Sequence, residues 1–243
     1  KNLRFAYPGS KDPGSKSSFG LTDRLLDSSV YLSGNKLFLN KKNKFVINSS
    51  DIKFDPVEIG WCWGAAFFDY ENDMDLDLYI ANGFRRESIA HNQPNHFFIR
   101  ENDTYYHHHN ILSFNKNSRS VNAVDFTNSG YKDMLVTNYE SEAKLFKYRG
   151  PKDNHWLKVK LRGIQTNYHG IGAVVKATIN GTVYSKIVSC GSQYLSQENT
   201  TLLFGAGKHE YVEKIEIMWP GNRYQLITGP INTNQMITIT EDV

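Results

Sequence analysis

Between Gly60 and Gly83 the chain places five carboxylates in nine residues, one at every second position: Asp69, Glu71, Asp73, Asp75 and Asp77. Apolar segments bound them, Ala65-Ala66-Phe67-Phe68 before and Leu78-Tyr79-Ile80 after. Two short strands joined by an acidic loop is the simplest fold for that pattern. So many like charges repel one another unless a cation sits among them, and a hard ion such as calcium takes about six to eight oxygens. Alternate spacing turns side-chain oxygens to one side of a tight loop, the logic of the D-x-D-x-D-G calcium loops. A solvated acidic turn is the plainer alternative, but the flanking strands pin the loop's geometry. Met74 stands where such loops carry glycine for a left-handed turn, and a Cβ there costs about 1 kcal/mol or more.

The loop returns. Residues 122–138 (N-A-V-D-F-T-N-S-G-Y-K-D-M-L-V-T-N) match Ala66 to Asn82 position by position. In this copy Asp125 and Asp133 hold the ends, Thr127 and Ser129 replace carboxylates, Tyr131 stands in the place of Asp75, and Gly130 in that of Met74. Two carboxylates and two hydroxyls make a weak cation site, and a turn closed by its own hydrogen bonds is the better reading. A second repeat accompanies the first: Asn35-Lys36-Leu37-Phe38-Leu39-Asn40 is echoed by Asn95-His96-Phe97-Phe98-Ile99-Arg100 and, more faintly, by Ala143-Lys144-Leu145-Phe146-Lys147-Tyr148. Short strands recurring at roughly 50–60 residues, about four to a unit, are the mark of propeller blades.

These repeats resemble the FG-GAP/VCBS family, whose blades carry an acidic calcium loop between strands. The resemblance implies calcium ligands at Asp69, Glu71, Asp73, Asp75 (through its carbonyl) and Asp77. Residues 151–243 contain no copy of the loop. They read as six short strands with hairpin signals, an antiparallel sandwich or barrel, and resemble the ASPIC/UnbV domain. The matching stretches are Asn154-His155-Trp156-Leu157-Lys158-Val159, Gly170-Ile171-Gly172-Ala173, Gly191 to Gln197, Leu203-Phe204-Gly205 and Ile217-Met218-Trp219-Pro220. The expected organisation is all-β: residues 1–34 a loop excursion or frayed start with a short helical turn at Leu21–Leu26, 35–150 propeller blades, and 151–243 the tail domain. Two or three blades do not close a ring that typically needs about four to eight. Further blades are therefore expected from the same or another chain. Cys62 and Cys190 both stand where the family is expected to carry small residues such as serine. The pair is compatible with a bridge stapling blade to tail, of up to about 4–5 kcal/mol, or with two lone thiols.

Charge excludes one class of partner. The 243 residues carry a formal net charge of +3 with acidic and basic residues interleaved, so no basic face is expected to track nucleic acid. No apolar run of about eighteen residues marks a membrane span. His107-His108-His109 invites a metal, yet neighbours in a strand point to opposite faces, so at most two could share an ion. Tyr194 with Gln193 and Gln197 forms a polar-aromatic surface that suits a sugar or peptide, or a packed strand end. The sequons at Asn48, Asn102, Asn180 and Asn199 matter only in a secreted eukaryotic chain. No nucleophile–base spacing or phosphate loop is present. The expectation is a non-enzymatic, calcium-binding adhesion or scaffolding protein, secreted or at the cell surface, with a protein or glycan partner. The alternative is a propeller enzyme or carbohydrate-binding accessory protein whose active residues lie in further N-terminal blades.

Overall fold

The computed structural model describes residues 3–6, 36–42, 44–47, 53–54, 60–86, 89–108, 112 and 114–242. Among them every regular element is a strand, as the Tyr, Phe and β-branched content favours. The helical turn expected at Leu21–Leu26 lies outside the described residues. No helix among the described residues is long and apolar enough to cross a membrane.

The first sheet comprises β1 (Leu3–Ala6), β2 (Lys36–Lys41) and β3 (Lys44–Ile47), all antiparallel. Leu3–Ala6 thus belongs to a sheet, and the opening segment is not wholly a loop. The second sheet has the order β4-β11-β10-β6-β5, from β4 (Lys53–Phe54), β5 (Cys62–Phe68), β6 (Asp77–Asn82), β10 (His96–Glu101) and β11 (Thr104–His107). Between β6 and β10 lie the short β7 (Phe84–Arg86), β8 (Ile89–His91) and β9 (Gln93–Pro94), and β9 pairs with β12 (Asn115–Lys116). The third sheet is β13 (Ser118–Val124), β14 (Asp133–Asn138) and β15 (Ser141–Phe146).

The middle sheet buries both faces. Ala66, Phe68, Tyr79, Ala81 and Phe97 pack on Val121, Ala123, Met134 and Val136 of the third sheet. On its other side Leu78, Ile80, Phe98 and Tyr105 pack with Leu37 and Leu39 of the first. That double burial is why β6 is buried at every position and reads as an apolar run rather than an alternation. A bulge between Cys62 and Gly64 places Cys62 with the second cluster, where its Sγ donates to the Gly64 carbonyl at 3.4 Å. Burial pushes that thiol up to about 12. Cys190 is exposed, and both thiols are free. Of the two alternatives for the pair, the structure shows the lone thiols, Cys62 buried and Cys190 at the surface.

The tail forms two sheets over one core. One is β19 (Leu202–Gly207), β16 (His155–Arg162) and β22 (Gln235–Thr240); the other is β18 (Thr182–Ile187), β17 (Val174–Ile179), β20 (Tyr211–Trp219) and β21 (Arg223–Asn232). Leu157, Val159, Phe204 and Ile239 from the first meet Val175, Ala177, Ile215, Ile217 and Trp219 from the second. The sequence reading missed β21. Its Gly229-Pro230 argues against a strand, and the structure places it at a sheet edge, where a missing N–H is tolerated.

The tail's last residues lock its first loop. Glu241 is 3% exposed, and its Oε2 accepts from the N–H groups of Ile164, Gln165 and Thr166 and from the Thr166 hydroxyl, each at 2.9 Å. Arg223 donates to Oε1 at 2.9 Å. Burial alone would raise the Glu241 pKa, but the hydrogen bonds outweigh it and hold the carboxyl at about 2 against an ordinary 4.5. A depressed pKa contributes stability that is present above the unfolded value and lost as pH falls through about 2. Glu241→Gln is therefore expected to lower the melting temperature at pH 7 and to flatten the acid limb between 4.5 and 2. Thermal scans across that range check it.

Candidate functional site

Both acidic loops sit at the same place in their sheets, between β5 and β6 and between β13 and β14. Their hydrogen bonds repeat as their residues do. Asp69 accepts from the N–H groups of Asp73 and Met74, each at 3.0 Å; Asp125 accepts from Ser129 at 2.8 Å and Gly130 at 2.6 Å. Asp77 accepts from Tyr70 at 2.8 Å and Arg100 at 2.9 Å; Asp133 accepts from Phe126 at 3.0 Å and Tyr148 at 2.8 Å. Asp73 and Ser129 each accept from the N–H two residues on. Each loop is thus a turn with two carboxylates as its internal caps, and the last of them also holds a neighbouring segment, Arg100 of β10 in one case and Tyr148 just after β15 in the other.

The two loops differ in what is left over. In the second, Thr127 donates to Asp125 and Asp133, and the Lys158 ammonium of β16 lies 2.6 Å from Asp125 Oδ2 and 2.7 Å from Asn128 Oδ1. Both partners of that ion pair are under a tenth exposed. A lysine from the tail thus neutralises Asp125 from the side of Asn128. In the first loop, Glu71 Oε2 and Asp75 Oδ1 are buried without a hydrogen-bond partner. Burial, followed by the charge of Asp73, pushes Asp75 up to about 7. Asp69 is raised to about 7 by burial, opposed by Lys186 and reinforced by Asp73. Glu71 and Asp77 are raised as well, first by burial and then by the neighbouring carboxylates. These are the shifts of a desolvated anionic cluster in which burial and mutual repulsion outweigh the nearby charges of Lys186 and Arg100. Among the described residues no three carboxylate, histidine or cysteine side chains converge into a ready cage. The donor set nonetheless suits a hard cation, which would relieve the orphaned oxygens of Glu71 and Asp75.

Met74 takes the left-handed conformation that the spacing required, with φ of 79°, as Gly130 does at 87°. Its side chain packs against the tail's core, a compensation the sequence does not display. Met74→Gly relieves about 1 kcal/mol of backbone strain but forfeits part of a burial worth about 1.5–3 kcal/mol. The expected net is a loss of about 1 kcal/mol in chemical denaturation rather than a gain.

The loops are also where the tail docks. Gly207 donates to the Asn72 carbonyl at 2.8 Å, and Asn72 Nδ2 donates to the Gly130 carbonyl at 2.9 Å, tying loop to loop and loop to tail. Asn154 Nδ2 donates to the Glu71 carbonyl at 2.9 Å, while the Tyr131 hydroxyl donates to the Asn154 carbonyl at 2.6 Å. A Cβ on Gly205 would meet Asp69 Oδ2 and the Asn72 backbone, and one on Gly130 would meet the Trp156 ring. Gln193 donates to the Ala65 carbonyl at 2.9 Å, and Tyr194 lies edge-on to Trp63 at 5.1 Å. Gln193 and Tyr194 of the polar-aromatic stretch thus touch β5, while Tyr194 and Gln197 remain exposed. His107 turns onto His96, with Nε2 2.9 Å from Nδ1; His96 was not singled out in the sequence. His109 lies outside the described residues.

Residues 163–243 match the ASPIC and UnbV family, the tail expected over 151–243. Cartilage acidic protein 1 of Homo sapiens is 25% identical over 179 residues, covering 71% of this chain and 27% of that protein. The Mus musculus protein gives the same identity and coverage. That of Xenopus tropicalis is 27% identical over 180 residues, covering 68% of this chain and 27% of its own length. The chain thus spans about a quarter of these relatives, and the similarity extends upstream of the matched tail into the sheets that carry the acidic loops.

Proposed function

We propose that this chain is a non-enzymatic, extracytoplasmic binding or scaffolding module, in which calcium-stabilised blades of FG-GAP/VCBS type carry a docked ASPIC/UnbV domain. The observation that carries it is the contrast between the two loops. The second is closed by a lysine ammonium, while the first leaves two buried carboxylate oxygens without partners. Asp69, Glu71, Asp73, Asp75 and Asp77 would hold calcium, which supplies the missing counter-charge. Three sheets stacked through apolar faces support the blade reading, since the middle sheet buries both of its faces against neighbours. Further blades come from the same or another chain, as the length of the relatives suggests. Extracellular modules bind calcium at about 0.1–1 mM, so a site of this kind fills outside the cytoplasm. The ligand is a protein or a glycan.

Calcium is expected to raise the melting temperature by mass action on the folded state, and Asp73→Ala to abolish the shift. Asp73 is exposed, so the substitution removes a ligand with little loss of packing. A melting curve indifferent to calcium and to chelator would exclude the ion.

A further inference from the structure

An antiparallel sheet with one face on a core ordinarily turns polar residues outward. The tail's four-stranded sheet does not. Its inward residues, Val175, Ala177, Ile215 and Ile217 among them, fill the core. On the outer face the register lines Ile187 of β18, Val174 of β17, Met218 of β20 and Tyr224 of β21 into one row across all four strands. Ile187, Met218 and Tyr224 are 60%, 41% and 56% exposed. The next outward row is Ser185, Lys176, Glu216 and Leu226, and Leu226 is again exposed. Single apolar residues on a surface need no explanation, but a contiguous patch marks a contact.

The charges of the second row select the partner. Glu216 accepts from the Tyr224 hydroxyl at 3.0 Å and pairs with Lys214 at 3.0 Å, which fixes its carboxylate on this face. Lys176 is exposed and has no ion pair or hydrogen bond among the described residues. Consider two such faces related by a two-fold axis parallel to the strands, lying between the faces and midway between β17 and β20. Each row then stays opposite itself while the strands exchange. Lys176 meets Glu216 of the second copy at two equivalent places, and Ile187 and Val174 meet Tyr224 and Met218. A two-fold axis running along the second row would instead set Lys176 on Lys176, a like-charge contact that disfavours association. The face is self-complementary in the first orientation, as an isologous dimer requires.

We propose that this face binds a second copy of the chain, sheet on sheet. The layers would lie about 10 Å apart, with their strands within about 30° of parallel. The apolar row supplies the buried seam, and the two Lys176–Glu216 contacts set its orientation. None of these residues belongs to the acidic loops, so the dimer stands apart from the calcium reading, and its test is run in chelator. Reductant is added as well, because Cys190 is an exposed free thiol.

Sedimentation equilibrium of the full chain is expected to show a reversible monomer–dimer equilibrium. Lys176→Glu and Glu216→Lys each weaken it at least about tenfold, since each sets like charges against each other. An equimolar mixture of the two variants restores association, because the exchanged charges meet again across the axis. The double variant carrying both substitutions in one chain dimerises as the unaltered chain does. Lys160→Glu, at an exposed position of β16, leaves the equilibrium unchanged. Melting curves of the single variants separate loss of association from loss of fold, and recovery in the mixture requires that both are folded. A chain that stays monomeric up to about 1 mM, single variants that dimerise like the unaltered chain, or a mixture that fails to associate would overturn the proposal.

Discussion

Replacing Asp125 with alanine is expected to lower stability by about 3–5 kcal/mol, the cost of leaving one member of a buried ion pair unpaired. Lys158 Nζ lies 2.6 Å from Asp125, and their side chains are 7% and 5% exposed. Asp125 also accepts from the N–H groups of Ser129 and Gly130, so its loss frees the loop's backbone as well. The double variant Asp125→Ala, Lys158→Met should recover part of the loss, because it removes the stranded charge. Denaturant midpoints at unchanged slope measure both. Equal stabilities for the single and double variants would mean that the backbone bonds, not the ion pair, carry the effect.

Gly205→Ala is expected to cost about 1–3 kcal/mol, the range for forcing extra volume into a packed region. The added Cβ meets Asp69 Oδ2 and the Asn72 backbone, and the backbone cannot rotate away. The strain falls on the junction, so the tail and the stacked sheets should separate into two thermal transitions. One cooperative transition at the wild-type temperature would show that Gly205 is not a docking contact.

Much of this junction is legible in the sequence, and the reason is local. Alternating carboxylates between apolar strands define a loop whose hydrogen bonds run within a few residues, so the copy at Asp125 could be aligned with that at Asp69 before any contact was known. The left-handed turn at Met74 was legible for the same reason. Contacts made across the chain were not. Lys158 sits in an alternating strand where a lysine ordinarily faces solvent, and nothing nearby in sequence indicates that it neutralises Asp125. Met74 looked only costly until its packing on the tail's core appeared. Which face Cys62 occupies was not legible either, because a one-residue bulge reverses it. Gly229-Pro230 concealed β21 because edge position, which excuses a proline, is a property of the sheet rather than of the strand.

A cation is expected at the first loop, whose buried Glu71 and Asp75 oxygens lack partners, and none at the second, whose Asp125 is paired with Lys158. Calorimetric titration of the full chain with calcium tests that directly through its stoichiometry. One calcium per chain is predicted, lost in Asp73→Ala and retained in Lys158→Met. No calcium bound, or two in the unaltered chain, would contradict it.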